Sequence, residues 1–73
     1  MTLIQAQEGI EYIVEHLDVD DEELVSFLFT LGCYAGQPIT VITRSKSNMT
    51  LSVKDSRYSI DIQLAGLIFV SEH

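Results

Sequence analysis

Apolar and polar positions alternate through much of the second half of the chain. Met49, Leu51 and Val53 alternate with Thr50, Ser52 and Lys54, the period-two pattern of a half-buried strand. Tyr58, Ile60 and Ile62 alternate with Ser59 and Asp61 in the same way. A tight turn at Asp55-Ser56 between the two runs predicts a hairpin. Ahead of it, Ile39-Thr40-Val41-Ile42-Thr43 is a run of β-branched residues, whose stiff side chains suit a pleated sheet. Ser45-Lys46-Ser47-Asn48 is the polar loop between these strands. Near the N-terminus, Ile10, Tyr12, Val14 and His16 fall on one alternating set, interrupted by Ile13 and Leu17. A strand over residues 10–17 follows. At the other end, residues 63–66 fit one helical turn and Leu67-Ile68-Phe69-Val70 a short last strand.

Between the first two strands the period changes. Asp18-Val19-Asp20-Asp21 breaks the strand, and Asp20 is placed to cap a helix, with Glu23 three residues on to reach back. Asp21, Glu22 and Glu23 put negative charge in the first turn, where the helix dipole favours it. Leu24, Phe27, Leu28 and Leu31 follow helical spacing and predict one apolar stripe. Val25 and Phe29 lie off that stripe. Gly32 is suited to the left-handed conformation that ends a helix. Gly36 permits a sharp turn, and Pro38 fixes its own φ just beyond.

Five short strands and one helix in 73 residues leave no material for two packed sheets. A chain of this size forms one domain and buries only about 60% of its unfolded surface. Rolling the sheet on itself hides one face and removes exposed edges. The expected fold is mainly β with one α-helix, a small SH3-like β-barrel spanning residues 1–73 with its core at about residues 8–70.

Charge is unevenly spread. The net charge is −7, with eight acids and no Lys or Arg in residues 1–34. The four bases, Arg44, Lys46, Lys54 and Arg57, fall within fourteen positions. An acidic half argues against nucleic acid and anionic lipid as partners and suits a basic surface, although acids also keep a small domain in solution. The single cysteine, Cys33, cannot form an internal disulfide. No base or continuous apolar stretch marks the N-terminus as a signal peptide, and the longest apolar run near the end, residues 67–70, is too short to span a bilayer. A cytoplasmic location without membrane insertion is expected.

The residues capable of chemistry do not assemble into a motif. Candidate metal ligands are His16, Cys33, Met49 and His73, with the acids of residues 18–23. They lack the close ligand pairs of a transition-metal site and the spaced pattern of a calcium loop. Cys33 has no base near it in sequence, so it reads as a small buried filler rather than a nucleophile. The acidic run reads as a solvated helix start. No phosphate-cradling glycine loop is present. The expectation is a protein that is not an enzyme and uses no cofactor and no metal. Partner binding remains, with Val25 and Phe29 on the helix and Arg44, Lys46, Lys54 and Arg57 around the hairpins as candidate contacts. Each has a plain alternative, a second core contact for Phe29 and a solvated rim for the bases.

In the stretch from Leu28 to Ile42, the Leu31-Gly32 pair at the helix end, Gly36 after three intervening residues and the strand opening at Ile39 resemble the FeoA family. So do Gly9 with residues 10–13 upstream, and residues 53–61, Leu64-Ala65 and Ile68-Phe69-Val70 downstream. The resemblance covers about residues 8–70. The chain departs from the family at Asp61 and Gln63, where many members carry a base, and in its short loop at residues 45–48. The resemblance implies a cytoplasmic accessory component of bacterial ferrous iron uptake, partnered with a FeoB-type membrane GTPase transporter. It leaves open a stand-alone metal-binding or repressor-associated regulatory module, since the same barrel occurs in metal-dependent repressors. The oligomeric state is not implied.

Overall fold

The strands are β1 (Glu11–Leu17), β2 (Pro38–Arg44), β3 (Asn48–Val53), β4 (Ser56–Asp61) and β5 (Ile68–Glu72). Helix α1 (Glu22–Leu31) joins β1 to β2, and the one-turn α2 (Ile62–Ala65) joins β4 to β5. This is a computed structural model, and it describes residues 1–72. All strands lie in one antiparallel sheet in the order β4-β3-β2-β1-β5.

The sheet curls as an SH3-like barrel but does not close. β4 and β5 remain its two edges, and α2 crosses between them. Met1 and Thr2 cover the β5 edge: Val70 N–H donates to the Met1 carbonyl at 2.8 Å, and Thr2 bridges Phe69. The expectation of a fully closed sheet is corrected accordingly. With α2 occupying the path from β4 to β5, the last strand pairs with β1 and the N-terminal residues rather than with β4.

The core is built from the inward residues of every strand, among them Tyr12, Val14, Ile39, Val41, Met49, Leu51, Val53, Ile60, Ile68 and Val70, with Leu28 from α1. No buried side-chain polar atom among the described residues lacks a hydrogen bond. Leu3 and Ala6 are also fully buried, the first residue and the C-cap of a 3₁₀ turn at Leu3–Gln5. This N-terminal segment is tied down by Gly9 N–H to the Val41 carbonyl at 2.9 Å and Gln7 N–H to the Tyr12 hydroxyl at 3.0 Å. The hydroxyl of buried Tyr12 thereby gains the partner that burial demands.

Four local expectations change. The helix cap is Asp21, not Asp20: its carboxylate accepts from Glu23 N–H at 2.9 Å and Leu24 N–H at 3.3 Å. One cap residue serves two of the orphan N–H groups of the first turn. The hairpin turn is Lys54-Asp55, one residue earlier than the alternation suggests, with φ of 51° and 65° and Val53 paired to Ser56. Positive φ at both positions matches the right-handed twist of the flanking strands. Ile62 leaves the strand and opens α2, because the Asp61 carboxylate accepts from Leu64 N–H at 2.9 Å. A register shift in β1 between Val14 and His16 reverses its alternation. His16 is thereby exposed, stacked on Phe69 with ring centroids 4.6 Å apart, while Leu17 packs on the core.

Candidate docking surface

Helix α1 lies on the sheet along a narrow line. Leu28 is buried and Leu24, Val25 and Leu31 are half-buried, but Phe27 is 48% exposed and Phe29 54% exposed. Phe27 was expected in the core stripe and is not there. About 100° of rotation separates it from Leu28 on the helix, and the strip of helix touching the sheet is narrower than that.

Val25 and Phe29 stand four residues apart and share one flank of α1. Beyond the helix, Gly32 adopts φ 95°, donating to the Phe29 carbonyl at 3.0 Å, and Cys33 N–H donates to the Leu28 carbonyl at 2.9 Å. This paired termination turns the chain so that Tyr34 comes back beside the helix. Its ring lies 5.4 Å from that of Phe29, tilted by 34°. The β3–β4 turn supplies the fourth member: Lys54 Nζ lies 4.8 Å from the Tyr34 ring centroid, within cation–π reach. Gly32 permits this approach. A Cβ there would stand 2.8 Å from Val53 Cγ1 and 3.7 Å from Lys54 Cδ. Gly36 and Gln37 fasten the following loop to β1, Gly36 N–H donating to the Val14 carbonyl at 2.8 Å and Gln37 accepting from Val14 N–H at 3.0 Å.

The result is an apolar and aromatic patch of exposed Phe29 flanked by half-buried Val25 and Tyr34, with one ammonium at its rim and the acids of the α1 N-terminus on the same helix. Three of the six candidate contact residues named from the sequence, Val25, Phe29 and Lys54, meet here. Tyr34 was missed. Its signal was its place two residues after the helix-ending Gly32, where the chain must fold back. Arg44 and Lys46 serve elsewhere. The Arg44 guanidinium donates to the Ile4 and Ala6 carbonyls and so clasps the N-terminal segment. Lys46 borders a shallow recess of about 360 Å³ with Ser47, Asp61, Ile62 and Gln63. Arg57 is exposed on β4. Pro38 opens β2 opposite Ile13, a position where its missing N–H is tolerated.

The candidate ligands for a metal are dispersed. Among the described residues no three His, Cys, Asp or Glu side chains converge. Cys33 and Met49 are buried and His16 is exposed; His73 lies outside the described residues. Burial pushes the Cys33 thiol up to about 11, so it is a neutral thiol at pH 7 and a poor nucleophile. Among the described residues no helix is long and apolar enough to cross a membrane.

The fold is a small SH3-like sheet with one appended helix and an aromatic patch on its surface. The FeoA domain model matches residues 1–72, and the chain belongs to the FeoA family. Solved structures share the fold. An iron uptake regulatory protein (FeoA) superposes with a TM-score of 0.90 at 23% identity, covering 100% of this chain and 97% of its own. Iron(II) transport protein A from Clostridium thermocellum gives 0.90 at 20% identity, covering 99% of this chain and 45% of that one. A manganese-dependent transcriptional repressor gives 0.89 at 13% identity, with 100% of this chain matching 41% of the repressor. No curated protein sequence matches the chain.

Proposed function

We propose that this chain is a non-enzymatic accessory or regulatory protein of bacterial ferrous iron uptake. It acts in the cytoplasm by docking on the cytoplasmic part of a FeoB-type GTPase transporter. Membership of the FeoA family across residues 1–72 carries the iron-uptake reading. The docking mode is supported by the patch of exposed Phe29 with half-buried Val25 and Tyr34, and Lys54 at its rim. Exposed aromatics rimmed by charge are what protein interfaces use as anchors, and a 54% exposed Phe29 contributes little to the core.

The test is binding of the purified chain to the full transporter and to its GTPase domain, with and without nucleotide. Phe29→Ala is expected to weaken binding on the order of 5- to 150-fold, the equivalent of about 1–3 kcal/mol for an anchor, with an unchanged circular dichroism spectrum. Failure of the unaltered chain to bind either target at high micromolar concentration removes the docking reading.

A second reading, a repressor-associated regulatory module, is favoured by one observation: the fold is shared with 41% of a metal-dependent repressor chain. A metal-binding form of that reading has no cluster of ligands among the described residues in its support. Anaerobic calorimetry with Fe²⁺ decides it, since heat of binding at micromolar metal would favour it over the docking reading.

A further inference from the structure

The sheet has two edges, and only one of them is covered. β5 is shielded by Met1 and Thr2. β4 ends the strand order, and among the described residues no strand pairs with its outer side. Such an edge is a template for pairing with another chain.

The phase of β4 shows which groups face outward. Val53 and Ser56 close the two-residue turn, so they exchange hydrogen bonds, and the ladder alternates from there. Tyr58 and Ile60 then also bond to β3. The same phase continues past the strand, where Ile62 N–H donates to the Ser47 carbonyl at 2.9 Å. Arg57 and Ser59 therefore turn their backbone N–H and C=O groups away from β3. Asp61 shares their parity, but as the N-cap of α2 its carbonyl takes the first helical bond and its Oδ1 accepts from Leu64 N–H, which leaves its N–H and Oδ2 for a partner. The side chains of Arg57, Ser59 and Asp61 are all exposed and lie on one face, while Ile60 points into the core.

This edge is self-complementary. When two antiparallel copies are registered on Ser59 opposite Ser59, the two serines exchange both backbone hydrogen bonds and each Asp61 N–H faces the partner's Arg57 carbonyl. Arg57 then stands opposite the partner's Asp61 at both ends. Registering on Arg57 or on Asp61 sets like charges against each other, which is destabilising. Slipping by one residue sets core-facing against solvent-facing side chains. Registering on Tyr58 leaves Arg57 opposite the partner's Ser59. One register satisfies backbone, face and charge together.

We infer that β4 is a self-pairing edge through which two copies of this chain associate, antiparallel and registered on Ser59, held by reciprocal Arg57–Asp61 contacts. The association is independent of transporter docking. It is weak, because a single short strand pair buries well under the roughly 1,200 Å² of a standard interface and each copy carries a net charge of −7.

Ser59→Cys tests the register. Hydrogen-bonded antiparallel partners have Cα atoms about 5.5 Å apart, inside the range a disulfide spans. In the same register two copies of residue 57 lie four positions apart along the ladder, about 13 Å. Under mild oxidation Ser59→Cys is expected to form a covalent dimer and Arg57→Cys is not, while buried Cys33 stays out of the reaction in both. Sedimentation equilibrium of the full chain at millimolar concentration gives the second arm. The unaltered chain self-associates, and Arg57→Glu weakens this on the order of tenfold. Ser59→Pro abolishes it with the circular dichroism spectrum retained, because the lost N–H faces away from β3. Equal cross-linking of the two cysteine variants overturns the proposal, as does a strictly monomeric unaltered chain. So does a Ser59→Pro chain that still self-associates, whether or not it has lost transporter binding.

Discussion

At the scale of single residues, Gly32 and Gly36 look alike in the sequence and differ in the structure. Both take positive φ, 95° and 90°, so any side chain at either position is strained by about 1–2 kcal/mol. Only at Gly32 does a Cβ also collide, 2.8 Å from Val53 Cγ1, whereas nothing lies within 4 Å at Gly36. Overpacking of this kind adds about 1–3 kcal/mol. Gly32→Ala is therefore expected to destabilise the domain by about 2–5 kcal/mol and Gly36→Ala by about 1–2 kcal/mol, measured by urea denaturation. Cys33 gives a pH prediction. Burial raises its thiol from 9.0 to about 11, so between these values the unfolded chain releases the proton that the folded chain keeps. The stabilisation is complete below pH 9 and disappears as pH rises through 11, in total about 2–3 kcal/mol. Subtracting the pH dependence of Cys33→Ala from that of the unaltered protein isolates this loss, and parallel curves would refute it.

At the scale of elements, the starts of α1 and α2 are each set by a polar contact, one residue away from where the pattern places them. The alternation of hydrophobic residues fixes the middle of an element, but its ends depend on which side chain reaches an orphan N–H. Asp20 and Asp21 are equivalent as sequence. Only Asp21 has its carboxylate on Glu23 and Leu24. Asp21→Ala is expected to cost about 1 kcal/mol and Asp20→Ala only a few tenths, a difference visible as several degrees in the melting temperature of a domain this small. The hairpin turn shows the same limit. Lys54-Asp55 lacks the Asn-Gly or Asp-Gly signal, and its two positive φ values follow from the Val53–Ser56 pairing rather than from preference. In β1, the irregularity after Val14 moves His16 outward and Leu17 inward, so strict alternation predicts the wrong face for both.

At the scale of the whole molecule, the charge division along the chain becomes a division of roles. The acids gather at the start of α1, on the same helix as Val25 and Phe29. Docking of this region on a basic surface would weaken as salt rises, since exposed charges act over only about 8 Å at physiological ionic strength. The four bases, close in sequence, take different contacts: Lys54 joins Tyr34, Arg44 holds residues 4 and 6, Lys46 borders the recess, and Arg57 is exposed on β4.

The sequence by itself determined the fold class, the order of strands and helix, the glycine-ended α1 and the acidic bias of the first half. These are local or periodic properties, written in residues at spacings of two, three or four. Tertiary structure alone decided that the sheet stays open at β4. It also decided that Leu3 and Ala6 belong to the core, that Tyr34 and Lys54 complete the patch begun by Phe29, and that Arg44 is a clasp. Each of these is a meeting of segments far apart in the chain. Such meetings depend on how the sheet curls and on which backbone groups it leaves unpaired, and no periodicity along a single segment records either.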